Sequence, residues 1–145
     1  NRFASQSMFN DRILQYKFAF DSFLMNFYLG HGLDKYSYID MSLVPWHLKS
    51  MVKGAHNGYL AILTQYGVIF GSIILFIIFK KSVQLIFFFR KSLDIERTYV
   101  FIIIYALIAS LYESLITGIN EFHTMLFWFS LAFLSFTIFK NEYGD

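Results

Sequence analysis

NGYLAILTQYGVIFGSIILFIIF, residues 57–79, runs without a charged side chain. At about 1.5 Å rise per residue a helix of this length covers roughly 34 Å, slightly more than the hydrocarbon core of a bilayer. The stretch predicts a membrane-spanning helix from Gly58 to Phe79. Two further segments have the same character. TYVFIIIYALIASLY (98–112) is followed by Glu113 and by SLIT, and TMLFWFSLAFLSFTIF occupies 124–139. Both uncharged runs are shorter than the usual span of about 20 residues, so they rely on snorkelling flanks or on packing within a bundle.

Composition points the same way. Of 145 residues 57% are hydrophobic and 21% aromatic, and only 15% are charged, against about 25% in a typical soluble domain. The expected fold class is all-α: a multispanning helical membrane protein fragment with transmembrane helices at 58–79, 98–116 and 124–139. Residues 1–57 form an outward-facing loop that carries an amphipathic helix at about 12–29.

Charge placement orients this arrangement. The connector 80–97 holds Lys80, Lys81, Arg90, Lys91 and Arg97 against Asp94 and Glu96, whereas the short loop 117–123 holds no Lys or Arg. By the positive-inside rule the connector is cytoplasmic, and Lys140 in the tail 140–145 agrees. The apolar centre of the connector, VQLIFFF, is too short to span and is expected at the interface as an amphipathic helix pinned by flanking cations. The net charge of +2 and the scattered basic residues argue against a nucleic-acid partner. The chain has no cysteine, hence no disulfide framework or thiolate site, and no metal-ligand cluster is visible. No metal or other cofactor is expected. The start, NRFASQSMFND, lacks the apolar core of a signal peptide, and an outward-facing start without an export signal is most simply the C-terminal part of a longer multispanning protein.

Within the loop, Ile13, Tyr16, Phe20, Phe23, Leu24 and Phe27 recur at helical spacing, with Arg12, Gln15, Asp21, Ser22 and Asn26 on much of the opposite side. Asn10 or Asp11 suits its start and Gly30 its end. Gly30-His31-Gly32 follows as a loop, and Pro45-Trp46 places a Trp suited to a membrane–water boundary. In KGAHNGYLAIL (53–63) Asn57 is a good N-cap for the long span. The first amides of that helix are expected to face the water boundary with the positive macrodipole end behind them, an end that favours phosphate. His56 then stands where a donor with a phosphate leaving group and an acceptor hydroxyl can meet. Capping or interfacial filling is the ordinary alternative for such a His. Lys49 and Lys53 either attract an anionic donor or are merely solvated, and Glu113 is either a functional intramembrane group or a boundary residue. His31 and His123 are alternative bases. Gly67 and Gly71 make a small-residue face open to close approach by another helix.

His56-Asn57, followed at nine residues' remove by Gly67 in GAHNGYLAILTQYGVIFG, resembles the signature of the O-antigen ligase and polysaccharide polymerase superfamily of bacterial membrane proteins. Arg12, the helix after it and the Gly30-His31-Gly32 turn are similar to that family's pattern of arginine, amphipathic helix and G-x-G. The likeness covers most of this chain and the C-terminal third or so of a complete member. Tyr28-Leu29 before Gly30, where relatives commonly show a proline, and Phe70, where a small or polar residue is often found, depart from the pattern.

The resemblance implies glycosyl transfer at the outer face of the bacterial cytoplasmic membrane, in lipopolysaccharide or capsule biosynthesis. The donor is then a lipid-linked oligosaccharide on undecaprenyl diphosphate, and the acceptor a sugar hydroxyl of lipid A-core or of another glycan. On this expectation His56 is the general base or orienter of the acceptor hydroxyl, and Asn57 holds the loop–helix junction. Arg12, with Lys53 beside it, binds the diphosphate, and Gly30, Gly32 and Gly67 form the structural motif. Ligase and polymerase remain equal alternatives. A fragment of a polytopic transporter or structural membrane protein, without catalysis, is the reading from a different class.

Overall fold

The computed structural model describes residues 2–33, 38–50, 52, 54–92, 94–118 and 121–143, with side chains from residue 12 to residue 141. Among the described residues it is all-helical: α1 (Arg2–Met25), a 3-10 turn (Trp46–Leu48), α2 (Gly58–Phe89), α3 (Glu96–Ala109) and α4 (Phe122–Tyr143). Two helices, α2 and α4, are long and apolar enough to cross a membrane.

α2 begins where Asn57, in extended conformation, accepts the Leu60 amide on its side-chain oxygen at 2.9 Å. It then runs for 32 residues, into the first half of the connector expected at 80–97. The segment VQLIFFF is thus a continuation of α2 and not a separate interfacial helix. Its Leu85 and Phe89 are buried, and the turn back to α3 is confined to the residues after Phe89. α3 is shorter than the expected 98–116 span. It has 14 residues, about 21 Å, and stops at Ala109, after which 110–118 fold as turns. Ser110 ends it, donating its amide to Ala106. α4 extends beyond both ends of the expected 124–139.

One core joins α2, α3 and α4, centred on Leu85, Ile103, Phe127 and Leu134. Hydroxyls enter this apolar region by bonding back along their own helix, as Ser130 does to the Leu126 carbonyl at 2.6 Å and Thr137 to Phe133 at 3.0 Å. Outside it, Ile73, Phe76 and Ile77 of α2 and Phe129, Phe136 and Phe139 of α4 remain exposed. Such a continuous apolar surface is compatible with a bilayer partner.

A second, smaller core packs α1 and the following loop on the first turns of α2, with Phe18, Ala19, Ile39, Val44, Val52, Ala55 and Ala61. α1 starts well before the expected residue 12 and ends at Met25, with 26–29 a turn. Its buried side takes only part of the anticipated apolar stripe. Gln15, Ala19 and Ser22 face inward with Phe18 and Phe23, whereas Ile13, Phe20 and Leu24 are about half exposed. Small and polar residues win the inner side because the chain approaches closely there: Ser22 donates to the Phe18 carbonyl and accepts the Asp40 amide, both at 2.6 Å. Ile13, Phe20 and Leu24 of the apolar stripe are left facing away from the protein.

α2 is broken once, at Gly67, where φ 68° and ψ 179° leave the helix, in a region essentially closed to residues with a side chain. The break frees two carbonyls and two amides, and the loop after α1 takes all four. His31 and Gly32 donate their amides to the Thr64 and Gln65 carbonyls at 2.9 and 2.8 Å, while Val68 and Ile69 donate to Phe27 and Tyr28 at 2.7 and 3.4 Å. The two chains touch through backbone. A Cβ on Gly30 would run into the Gln65 carbonyl and the Gly67 amide, and one on Gly67 into the Tyr28 carbonyl. Gly30 (φ 73°) and Gly32 (φ 82°) adopt the left-handed turn this requires. The small-residue face at Gly67 therefore receives a loop of the same chain and not another helix.

Gly30→Ala or Gly67→Ala is expected to destabilise the protein by about 2 kcal/mol or more. The double variant should cost clearly less than the two singles together, because both disrupt one contact. Thermal unfolding of the detergent-solubilised variants checks this.

Candidate functional site

The loop–break contact fixes α1 alongside the start of α2 and so brings Arg12 toward His56. The group between them is Glu113, in the turns after α3. Its Oε1 accepts from an Arg12 terminal guanidinium nitrogen at 2.8 Å and its Oε2 from His56 Nδ1 at 3.1 Å. One carboxylate thus bridges a guanidinium and an imidazole carried on three separate elements. Arg12, His56 and Glu113 are 48%, 33% and 43% exposed at their side chains, so the cluster is open to solvent and to a ligand. At such exposure the ion pair adds less than about 1 kcal/mol of stability, and its importance is geometric.

The imidazole is set by its backbone. His56 has φ 44°, the one left-handed non-glycine conformation among the described residues, and this turns the chain sharply before the cap at Asn57. The strain, of order 1–2 kcal/mol, is held by Tyr16, whose hydroxyl reaches the His56 carbonyl at 3.0 Å and the Leu111 carbonyl at 3.2 Å. Burial raises the Tyr16 pKa above its ordinary value, against the opposing pull of Arg12, so the phenol keeps the proton it donates. Asn57 completes the junction by donating its amide to Leu111 at 3.0 Å. Gly58 lets α2 start against the α3 end, where a Cβ would press on Ile116 and Ser110.

Facing a carboxylate oxygen, His56 Nδ1 is placed as the donor of that contact, which leaves Nε2 as the nitrogen that can accept. A base so oriented is suited to taking a proton from a hydroxyl. A guanidinium offers five donors in a plane, a geometry that lets Arg12 exchange its Glu113 contact for another anion. The helix start itself is a different matter. Gly58 donates to the Ser110 and Glu113 carbonyls and Leu60 to the Asn57 side chain, so two of the first three amides of α2 are already engaged by the protein. The phosphate seat expected on those amides is therefore largely filled by the protein's own acceptors.

Beside this cluster lies a cavity of about 540 Å³, whose lining includes Tyr38, His56, Tyr105, Glu113, Glu121 and His123. Of the alternative bases, His123 lines this cavity with His56. His31 does not: its Nε2 sits 2.7 Å from the Ser22 carbonyl and its Nδ1 3.1 Å from the Asn26 amide, which makes it a clamp on the end of α1. Lys53 lies outside the described residues, and no group of metal-ligating side chains is found among those described. Sequence reasoning singled out Glu113 without a partner, and missed Tyr16, Tyr38 and Glu121. Tyr16 was readable, since it stands one turn from Arg12 on the same side of α1.

No protein-family model, curated protein or solved structure matches the chain.

His56→Gly is expected to leave unfolding stability within about 1 kcal/mol of the parent, because glycine adopts φ 44° without strain. Tyr16→Phe, which removes the hydroxyl bonded to two carbonyls, should cost about 1–2 kcal/mol. Denaturant or thermal unfolding of the two variants side by side distinguishes strain held from strain relieved.

Proposed function

We propose that the protein is a membrane glycosyltransferase of surface-polysaccharide assembly, which moves a glycan from an undecaprenyl diphosphate carrier to a sugar hydroxyl. The observation that carries this reading is the single carboxylate of Glu113 joining a guanidinium, Arg12, to an imidazole, His56, with His56 and Glu113 lining one cavity. The resemblance of the His56-Asn57 to Gly67 stretch to the O-antigen ligase and polymerase superfamily supports the same chemistry.

The two halves of the reaction fall to different residues. The acceptor hydroxyl gives its proton to His56 Nε2 as its oxygen attacks the anomeric carbon of the donor. The bond from that carbon to the diphosphate oxygen breaks, and the electron pair leaves with the diphosphate. Arg12 stabilises the charge that develops there; such electrostatic stabilisation is the larger share of the barrier lowering. Glu113 orients the imidazole through Nδ1 and receives Arg12 when no anion is bound. The diphosphate must displace one carboxylate contact at Arg12, so the site exchanges one anion for another and never buries an unpaired guanidinium.

In the membrane, α2 and α4 cross the bilayer with His56 at the outer surface. Lys80 lies about 33 Å along α2 from its start, and Arg90, Lys91 and Lys140 lie at the same far end, as expected for a cytoplasmic side. The exposed apolar stripe of α1, with Ile13, Phe20 and Leu24, rests on the outer leaflet, next to which a lipid-linked donor is held.

His56→Ala in the chromosomal gene is expected to abolish surface polysaccharide while the protein remains inserted and abundant, read by gel profiles of extracted glycans and by immunoblot. Arg12→Lys should retain the charge but lose the planar fork, lowering transfer at least about 10-fold; Glu113→Gln should lower it about 10²-fold by misorienting the base. Normal polysaccharide in the His56→Ala strain, with no second gene covering, would refute the assignment. Accumulation of long lipid-linked polymer marks a ligase, and of single repeat units a polymerase.

A further inference from the structure

We infer that the cavity beside His56 receives a neutral sugar of the acceptor glycan, and that Glu121 and His123 hold its hydroxyls. This rests on the glycosyl-transfer reading above and adds to it which side chains recognise the acceptor. The cavity has walls from separate parts of the chain: Tyr105 and Ala109 from α3, Ser114 and Gly118 from the turns after it, Tyr38 and Gly54 from the loop after α1. Glu121 and His123 come from the start of α4, as a second carboxylate and imidazole lining the same space as Glu113 and His56.

Several observations decide what such a space takes. Glu121 is folded back over Gly118, where a Cβ would collide with its carboxyl group, so the absence of a side chain at 118 makes room for the carboxylate at the cavity wall. Tyr38 donates its hydroxyl to the Thr117 carbonyl at 3.3 Å, and burial raises its pKa, so it stays a neutral aromatic wall. Among the described residues no cation lies at ion-pair distance from Glu121, since the ion pairs there are those of Glu113 with Arg12 and His56. A lining that carries the Glu113 and Glu121 carboxylates and, among the described residues, no Lys or Arg disfavours phosphate and acidic sugars. It favours groups that donate hydrogen bonds, and a carboxylate accepts two neighbouring hydroxyls at once in charge-assisted bonds. Tyrosine rings offer faces for the apolar side of a sugar ring. A volume near 540 Å³ lies in the usual range for small-molecule sites. The diphosphate then stays on the Arg12 side of His56 and the acceptor sugar on the Glu121 side, with Nε2 between them.

The test uses membranes from strains that express the full protein or its variants. The donor is the lipid-linked glycan that accumulates in the deletion strain, and the acceptor is the glycolipid fraction of that same strain. Glu121→Gln and His123→Ala should each raise the apparent acceptor KM about 10-fold, leave the donor KM within twofold, and leave thermal stability unchanged. Linkage analysis of the native product should show a neutral or amino sugar at the hydroxyl that accepts the transfer. An unchanged acceptor KM, a raised donor KM or a uronic acid at the accepting position would overturn the inference. His56→Ala is run in parallel: if it still transfers, the glycosyltransferase reading fails, whereas if it is dead and Glu121→Gln is normal, only the acceptor assignment does.

Discussion

Four backbone hydrogen bonds between residues 27–32 and the break in α2 at Gly67 hold α1 to the rest of the chain. A break in an apolar helix is tolerable only if its freed amides and carbonyls find partners, and here a loop of the same chain supplies them. The energetic consequence is that neither side can be left unmade. Without the loop, α2 would expose two unpaired carbonyls and two unpaired amides; without the break, the loop would have nothing to bond. Position follows from this pairing, because α1 lies against α2 mainly through Ala19, Ser22 and a few apolar contacts. Arg12 reaches Glu113 because α1 is anchored one end away from it.

The site built on this scaffold is made of weak individual contacts at partly exposed side chains, and its order comes from redundancy. His56 is fixed through its carbonyl by Tyr16, through its ring by Glu113 and through its neighbour by the Asn57 bonds to Leu60 and Leu111. Leu111 is the common acceptor, bonded by both Tyr16 and Asn57, so the turn after α3 serves α1 and α2 together. That explains why α3 ends at Ala109: a longer helix would use the Leu111 carbonyl internally and carry Glu113 away from the other two elements.

Much of this was legible in the sequence, and the limits have physical causes. The uncharged run 57–79, the cap at Asn57 and the loop at Gly30 and Gly32 declare themselves locally, since helix length, capping and positive φ depend on near neighbours, whereas the break at Gly67 does not, because it is made against the loop after α1. Boundaries governed by tertiary contact did not. Lys80 and Lys81 looked like the end of a span, yet α2 continues because Leu85 and Phe89 have α3 and α4 to pack against. The stripe of Ile13, Phe20 and Leu24 marked an apolar side correctly but not which environment it faces. Arg12, His56 and Glu113 were each visible as polar residues in a poor place for them. Their meeting was not, since the contacts join residues 101 and 57 positions apart. Of the helix amides expected to bind phosphate, Leu60 is taken by the Asn57 cap and Gly58 by the Ser110 and Glu113 carbonyls, whose approach no local pattern announces.

A lock made of main-chain atoms has a consequence for how such a chain can change. Because the four bonds at Gly67 use only amides and carbonyls, the side chains at Phe27, Tyr28 and Leu29 are not what holds the loop in register. Those positions can be exchanged widely while the geometry of the site persists, provided the glycines stay. A protein built this way can drift until little but a few glycines, an arginine, a histidine and a carboxylate identify it. Its architecture is then far better preserved than its spelling, and grafting a foreign loop between Asn26 and Gly32 becomes a practical way to alter the neighbourhood of the site without moving it.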